Sequence, residues 1–310
     1  MEKSPTEKES YTTQIVSVNI IITTRKGNKE KIMKILNYDN SEYDMILLAG
    51  QSNAYGNGYG ETDNPWKERD DVMMLKNDFE ICYKHPYENT TYIDINAKED
   101  GYIEKAKEVV RDDGVSTIGC FALTFAKMYA EKYLEKGRKV LIVNTPIGGT
   151  GFKGEHWGPK DKMFLRMKDM MDSAVALNKN NKVVAVLWHQ GEHDAFENMD
   201  LSFEGIKEYY DEKFTELFDF IRDRYGKDVP FMCAGFTPAF INEFKKGSDA
   251  ILEVLQTKMK EGHMTKFVDT TGLKCNSDIG YNDVYHFCKT ALEILGARYF
   301  EAFEQLVNNK

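Results

Sequence analysis

The chain has 310 residues, 42% of them hydrophobic and 12% aromatic, which is enough for a sizeable core in one large or two small domains. Its formal net charge of -9 argues against nucleic acid as the main partner, because phosphate contacts need clusters of lysine and arginine. Residues 1–10 are polar and no stretch is long enough to span a bilayer, so we expect no membrane partner and no signal peptide. We therefore predict a cytoplasmic protein, or a secreted one if a leader is missing from this sequence.

The cysteines number five, and no two of them form a C-x-x-C pair. This spacing fits neither a disulfide framework nor a zinc ribbon, so reduced, buried thiols and no metal are expected.

The N-terminal region, residues 1–43, is predicted to be an appendage with a disordered tail over residues 1–10. Gln14–Thr24 is rich in β-branched residues, Lys31–Tyr38 alternates apolar with polar residues, and Gly27-Asn28 lies between them. This pattern predicts a β-hairpin. A packing or dimer-forming role is its default interpretation, so a homo-oligomer stays open.

From residue 44 to residue 310, strand-like runs alternate with helix-like runs, whereas residues 55–118 are polar and are predicted to form long loops over a site. The predicted strands are Met45–Ala49, Lys139–Asn144, Val183–Trp188, Pro230–Ala234 and Lys266–Asp269. The predicted helices are Phe121–Lys136, Lys162–Leu177, Phe203–Tyr225, Asp249–Glu261 and Phe287–Leu306. Such alternation favours an α/β domain with a parallel sheet that is covered on both faces.

Polar segments follow three of these strands, and a fourth precedes the last helix. They are Gly50-Gln51-Ser52-Asn53, Asn144–Thr150, Trp188–Asp194 and Asp283-Val284-Tyr285-His286. In a parallel sheet the strand ends share one edge, which is where open α/β folds place their sites. The segments are therefore expected to meet.

The residue types in these segments suit nucleophilic catalysis. A serine hydroxyl becomes nucleophilic only beside a base, which His286 can supply to Ser52, and a carboxylate such as Asp283 fixes the imidazole tautomer. An oxyanion can be held by hydrogen-bond donors near the serine. The donors that we predict are the backbone amides of Ser52, Gly148 and Gly149 and the side-chain amide of Gln190. Each residue alone is also compatible with a turn, a cap or packing; the combination predicts a serine esterase.

Together these segments resemble the SGNH hydrolase superfamily, and within it the sialate O-acetylesterase and acetylxylan esterase group (carbohydrate esterase family six). The shared pattern is G-Q-S-N after a strand, then G-G-T, W-H-Q-G-E-x-D and D-x-x-H, in that order over about residues 44 to 305. The chain departs from it at His193, where the family usually has Ser, and at Ala54, where Met is frequent.

The resemblance implies a three-layer α/β/α, flavodoxin-like fold that hydrolyses acetyl esters on sugars without a metal or an organic cofactor. It implies that Ser52 is the nucleophile, that His286 is the general base and then acid, and that Asp283 orients His286. Glu192 is the rival for that last role. Substrate-binding residues are expected at Gln51, Asn53 and Thr150. Acetylated xylan, related acetylated oligosaccharides and O-acetyl sialic acid all stay open as substrates.

Two other classes of function are compatible with the sequence. His189-Gln190-Gly191-Glu192-His193 matches the H-x-x-E-H pattern of some zinc hydrolases, although a glycine after an apolar strand is poor context for the helix that this motif needs. A carbohydrate-binding module without catalysis is the second alternative. Within the superfamily a thioesterase or lipase is a further variant, but no large apolar lid is evident in the sequence.

Overall fold

The computed structural model describes residues 33–84, 92–110 and 117–308. The strands of this part are β1 (Lys34–Leu36), β2 (Glu42–Gly50), β3 (Val72–Lys76), β4 (Phe79–Lys84), β5 (Tyr92–Ala97), β6 (Asp100–Lys105), β7 (Val109–Val110), β8 (Thr117–Ile118), β9 (Arg138–Asn144), β10 (Lys182–His189), β11 (Phe231–Ala234) and β12 (Thr265–Val268). The helices are α1 (Ser52–Tyr55), α2 (Phe121–Lys132), α3 (Lys162–Leu177), α4 (Glu192–Glu197), α5 (Phe203–Tyr225), α6 (Pro238–Glu243), α7 (Lys245–Glu261) and α8 (Lys289–Asn308), with a 3₁₀ turn at Asn276–Ile279.

The main sheet has eight strands in the order β1-β6-β3-β9-β2-β10-β11-β12. Its strand pairs are parallel except for β3 with β6, which is antiparallel. Strand β2 lies between β9 and β10 and pairs with both along most of its length. The predicted α/β fold with a mostly parallel sheet is therefore confirmed, and the strands around β2 end at one edge.

Side chains of the central strands alternate between two apolar cores, as the period of a strand requires. In β2, Met45 and Leu47 belong to one core, together with residues of α3, α5 and α7. Ile46 and Leu48 belong to the other, together with residues of α2 and α8. The helices thus cover both faces, which gives the predicted three layers and explains why β2 reads as an unbroken apolar run.

Each of the five predicted strands is present with its bounds shifted by at most a few residues. The prediction that residues 55–118 form only loops was wrong, since β3 and β6 join the main sheet and β4–β5 and β7–β8 form small sheets of their own. Strand β3 has only five residues. Because the sequence on both sides of it is polar, its short apolar run did not lead to a strand prediction. None of the helices in the described ranges combines the length and the apolar composition that a membrane span requires.

The N-terminal part of the described chain belongs to the main sheet. Strand β1 pairs in parallel with β6 at the edge of the sheet, and the predicted domain boundary between residues 43 and 44 falls inside β2. The first half of the predicted hairpin, Gln14–Thr24, lies outside the described residues.

A buried ion pair joins the beginnings of β2 and β9. Arg138 donates to the Asp44 carboxylate at 2.7 Å and also to the backbone carbonyl of Tyr43 at 2.7 Å. Asp44 is only 1% exposed, and its second carboxylate oxygen accepts the Tyr129 hydroxyl at 2.7 Å. The pair therefore fixes the register of the two central strands at the end opposite to the strand-end segments.

We expect Arg138→Met to lower the free energy of unfolding by about 3–5 kcal/mol, because it removes the hydrogen-bonded counter-ion of the buried Asp44 carboxylate and leaves only Lys182, 4.0 Å away. Urea unfolding measures the loss. The double variant Asp44→Asn/Arg138→Met is the matched control and should recover part of the stability, since it removes the unpaired charge. A single variant that loses less than about 1 kcal/mol would contradict a structural role for this pair.

Candidate active site

A sharp turn at the end of β2 presents Ser52. Gly50 has φ 127°, and a Cβ atom at this position would lie 2.0 Å from the carbonyl oxygen of His189, so only glycine fits. The next amide, of Gln51, donates to that same carbonyl at 3.0 Å. The chain then enters α1 with Ser52 as its first residue, at the carboxyl edge of the sheet.

The loop before α8 brings His286 to Ser52. The Ser52 hydroxyl oxygen lies 2.8 Å from His286 Nε2, and His286 Nδ1 lies 2.8 Å from Asp283 Oδ2. Residues that are 234 positions apart in the sequence thus form one continuous hydrogen-bonded chain. This is the order of groups that activates a serine hydroxyl: nucleophile, imidazole, carboxylate.

The Asp283 carboxylate is held in its charged form. Burial alone would raise the pKa of Asp283, but the hydrogen bonds from His286 and Asn276 outweigh it and keep that pKa below its usual value. Asn276 donates to Asp283 Oδ2 at 2.8 Å, and the backbone amide of Tyr285 donates to Oδ1 at 3.0 Å. Asp283 is therefore ionised at neutral pH and oriented toward the imidazole.

Glu192, the rival carboxylate, has different partners. It is buried, and its Oε1 accepts the Asn53 side-chain amide at 2.7 Å and lies 3.6 Å from His189 Nε2. Burial would raise the pKa of Glu192, but the adjacent His189 ring and Asn53 lower it below its usual value. The structure thus places Asp283, and not Glu192, against His286.

Asn53 lies beneath the site and does not face a substrate. Its Nδ2 donates to the Tyr285 carbonyl at 3.0 Å as well as to Glu192, and its Oδ1 accepts the Phe287 amide at 3.1 Å. The side chain is fully buried. The expectation that Asn53 binds substrate stays a prediction; in this structure its amide holds the residues on both sides of His286.

Gln190 and Thr150 are also buried below the pocket. Gln190 Nε2 donates to Asp194 Oδ2 at 2.6 Å, and its Oε1 accepts the Tyr210 hydroxyl at 3.1 Å. The Thr150 hydroxyl donates to the Ile147 carbonyl at 2.7 Å. The oxyanion donor expected at Gln190 and the substrate contact expected at Thr150 stay predictions; in this structure neither residue lines the cavity, and their polar atoms bond to the surrounding loops.

A cavity of about 400 Å³ opens above Ser52 and His286. Gly148 lies against Ser52, since a Cβ atom there would be 3.6 Å from Ser52 Cβ. Gln51 lines this cavity, and its Oε1 accepts the His193 amide at 3.2 Å; its role in substrate binding stays a prediction. Among the residues that the structure describes, the lining is Gln51, Ser52, Asn57, Gly148, Gly149, Glu192, His193, Phe196, Tyr285 and His286.

The zinc alternative does not fit the backbone. His189 ends β10, Gly191 has φ 146°, and α4 begins at Glu192, so the two histidines of the H-x-x-E-H pattern do not share a helix. The His193 ring packs instead on His156, with ring centroids 5.8 Å apart. Within the described ranges, no three His, Cys, Asp or Glu side chains are grouped to hold a metal ion.

Sequence reasoning missed several residues of this site. Asn57 lines the cavity with its Nδ2 at 3.5 Å from His286 Nε2, and Asn276 supports Asp283 from the turn before it. Asn57-Gly58 is typical of a turn, and Asn276 lies in a polar loop, so the sequence around neither asparagine indicates a role in the site. Tyr285 and Phe196 line the cavity as well; Tyr285 could have been noticed, because it stands inside the D-x-x-H segment.

Comparison with known proteins identifies the family of the chain. A family model described as "Carbohydrate esterase, sialic acid-specific acetylesterase" matches residues 42–305. A comparison with curated protein sequences gives no match. Among solved structures, NanS superposes with a TM-score of 0.65 at 18% identity, over 87% of this chain and 99% of NanS. A protein from Arabidopsis thaliana superposes with a TM-score of 0.59 at 18% identity, over 86% of this chain and 98% of that protein.

These two structures are similar to the chain in fold. The family match covers most of the chain and includes the four segments that meet at the strand ends. The resemblance inferred from the motifs is thereby confirmed. The chain belongs to the carbohydrate esterase family of sialic acid-specific acetylesterases, and it is a carboxylic ester hydrolase.

Proposed function

We propose that this enzyme removes O-acetyl groups from carbohydrates, acetylated xylan or related oligosaccharides, through an acetyl-enzyme formed on Ser52. The observation that carries the proposal is the hydrogen-bonded chain from Ser52 through His286 to Asp283, with 2.8 Å at each step. An O-acetyl sialic acid is the alternative substrate, since the family description names sialic acid.

In the acylation step the Ser52 oxygen attacks the carbonyl carbon of the acetyl ester while His286 Nε2 takes the hydroxyl proton. The carbonyl π electrons move to oxygen and form a tetrahedral oxyanion. When the intermediate collapses, the bond to the sugar oxygen breaks and the imidazolium returns the proton to that oxygen. The ionised Asp283 stabilises the imidazolium, which is the role that its lowered pKa supports.

Deacylation repeats these steps with water. His286 takes a proton from a water molecule, the resulting hydroxide attacks the acetyl carbon, and Ser52 leaves as the hydroxyl after it recovers the proton. Acetate and the free sugar hydroxyl are the products. No cofactor is needed for these steps.

The oxyanion is stabilised by backbone amides in this proposal. Ser52 is the first residue of α1, so its amide has no partner within the helix. Gly148 and Gly149 line the cavity beside it, and Gly148 packs directly on Ser52. Gln190 is not among the proposed oxyanion donors. The side-chain amide of Asn57, in contrast, lines the cavity close to His286.

We expect Ser52→Ala to lower kcat for p-nitrophenyl acetate by about 10⁴- to 10⁶-fold, because no other group replaces the nucleophile. Ser41→Ala is the matched control, since that serine precedes β2 at the opposite end of the sheet, and it should keep full activity. Urea unfolding should show both variants folded. Near-normal turnover by Ser52→Ala would rule out the acetyl-enzyme on this residue.

We expect Asp283→Asn to cost about 10⁴-fold in kcat, because an amide there stabilises the wrong tautomer of His286. Glu192→Gln should cost less, since a glutamine oxygen can still accept the Asn53 amide. Both variants are compared with the same ester at the same pH. The opposite ranking would make Glu192 the carboxylate on which the imidazole depends.

We expect Gln190→Ala to lower stability together with activity, because it removes one hydrogen bond each from buried Asp194 and Tyr210, which keep only their backbone partners; each such bond contributes about 0.5–1.5 kcal/mol. Tyr210→Phe removes the partner on the other side of this amide and should lower stability in the same way. Urea unfolding and kcat are measured on both variants. A rate loss of about 10²-fold or more in Gln190→Ala at unchanged stability would return Gln190 to the oxyanion hole.

A further inference from the structure

An exposed aromatic surface, here called the aromatic shelf, forms one wall of the active-site cavity. It consists of Phe196 and Tyr285, which are exposed, and of the partly buried Phe244, which packs on both of them but does not line the cavity. Phe196 is 49% exposed and Tyr285 is 40% exposed, and both line the cavity. Single exposed aromatic residues are ordinary, but a contiguous set at the mouth of a site indicates a binding surface.

The rings of the shelf are fixed by contacts with one another. Phe244 packs edge-on against Phe196 with ring centroids 5.4 Å apart, and it packs on Tyr285 at 5.9 Å. The fully buried Phe240 supports the shelf from below, at 4.8 Å from Phe244 and 5.6 Å from Tyr285. The shelf is therefore a preformed surface, and the protein loses little conformational entropy when a ligand stacks on it.

The shelf lies directly beside the reacting groups. Tyr285 precedes His286 in the chain, and their ring centroids are 6.4 Å apart. The carbonyl of Tyr285 is anchored by Asn53 at 3.0 Å, so the tyrosine is held with the same loop that holds the imidazole. A sugar ring stacked on the shelf would thus lie close to Ser52. Substituents attached directly to that ring would face Ser52, whereas groups on a long side chain would not.

The charge of the cavity favours a neutral ring. Within the described ranges, no lysine or arginine lines the cavity. Burial lowers the pKa of His193, so this imidazole is neutral at pH 7, and the Glu192 carboxylate below is ionised. A sugar carboxylate near this wall would find no opposite charge among these residues.

We propose that the aromatic shelf binds the apolar face of a neutral pyranose ring that carries its acetyl group on a ring hydroxyl. The C–H face of such a ring is apolar while its rim carries hydroxyls, which matches an aromatic wall beside the polar groups of the cavity. This inference rests on the proposed esterase function. It makes neutral acetylated glycosides, rather than sialic acids acetylated on the exocyclic chain, the preferred substrates.

The test measures acetate release from p-nitrophenyl acetate, from an acetylated methyl xyloside and from sialic acid acetylated on its exocyclic chain. For the wild-type enzyme we expect kcat/KM to be on the order of tenfold higher for the xyloside than for the sialic acid. In Phe196→Ala the ratio of kcat/KM for the xyloside to that for p-nitrophenyl acetate should fall about two- to tenfold, which is the size of a lost ring-stacking contact.

Two further variants separate stacking from general damage. Phe196→Trp keeps an aromatic face and should retain the wild-type ratio. Ile294→Ala removes an equally exposed apolar side chain from α8, outside the cavity, and should leave all rates unchanged. An unchanged ratio in Phe196→Ala, or a preference for the sialic acid, would overturn the proposal. An enzyme that hydrolyses none of the three esters would instead overturn the proposed function.

Discussion

The side-chain amide of Asn53 is the contact on which the geometry of the site depends. It joins α1, the loop that carries His286 and the buried Glu192 through three hydrogen bonds of 2.7 to 3.1 Å. A buried amide and its partners lose about 1–3 kcal/mol for each bond that is left unmade. The distance between Ser52 and His286 is therefore set from below by the contacts of a buried amide.

The two carboxylates of the site illustrate how environment divides their roles. Asp283 is reached by the imidazole of His286 and stays charged because hydrogen bonds outweigh its burial. Glu192 is charged as well, but its contacts are to Asn53 and His189. A carboxylate at a strand end is thus a candidate for catalysis only if the loop with the histidine reaches it.

The sequence could predict those features that depend on local patterns. The apolar run of β2, the glycine at position 50 and the alternation of helices and strands follow from residue type and spacing, and they identified the fold and the position of Ser52. The direction of a side chain after a strand end is not local. Gln190 and Asn53 stand in motifs beside Ser52, yet their amides turn into the protein because Asp194, Tyr210, Glu192 and the His286 loop offer partners there. Strand β3 was missed because its neighbours in sequence are polar.

In the function that we propose, chemistry and specificity reside on different parts of this fold. The reacting groups come from strand ends and from one loop, which the two apolar cores and the network under Asn53 hold in place. The aromatic shelf draws Phe196 from α4 and Phe244 from the junction of α6 and α7, and both lie outside the motifs that mark the family. Only Tyr285 belongs to both parts, since it stands between Asp283 and His286 and also faces the cavity. Exchange of Phe196 or Phe244 can therefore alter which sugar is held without a change in the groups that react, whereas Tyr285 couples the position of the sugar to the position of the imidazole.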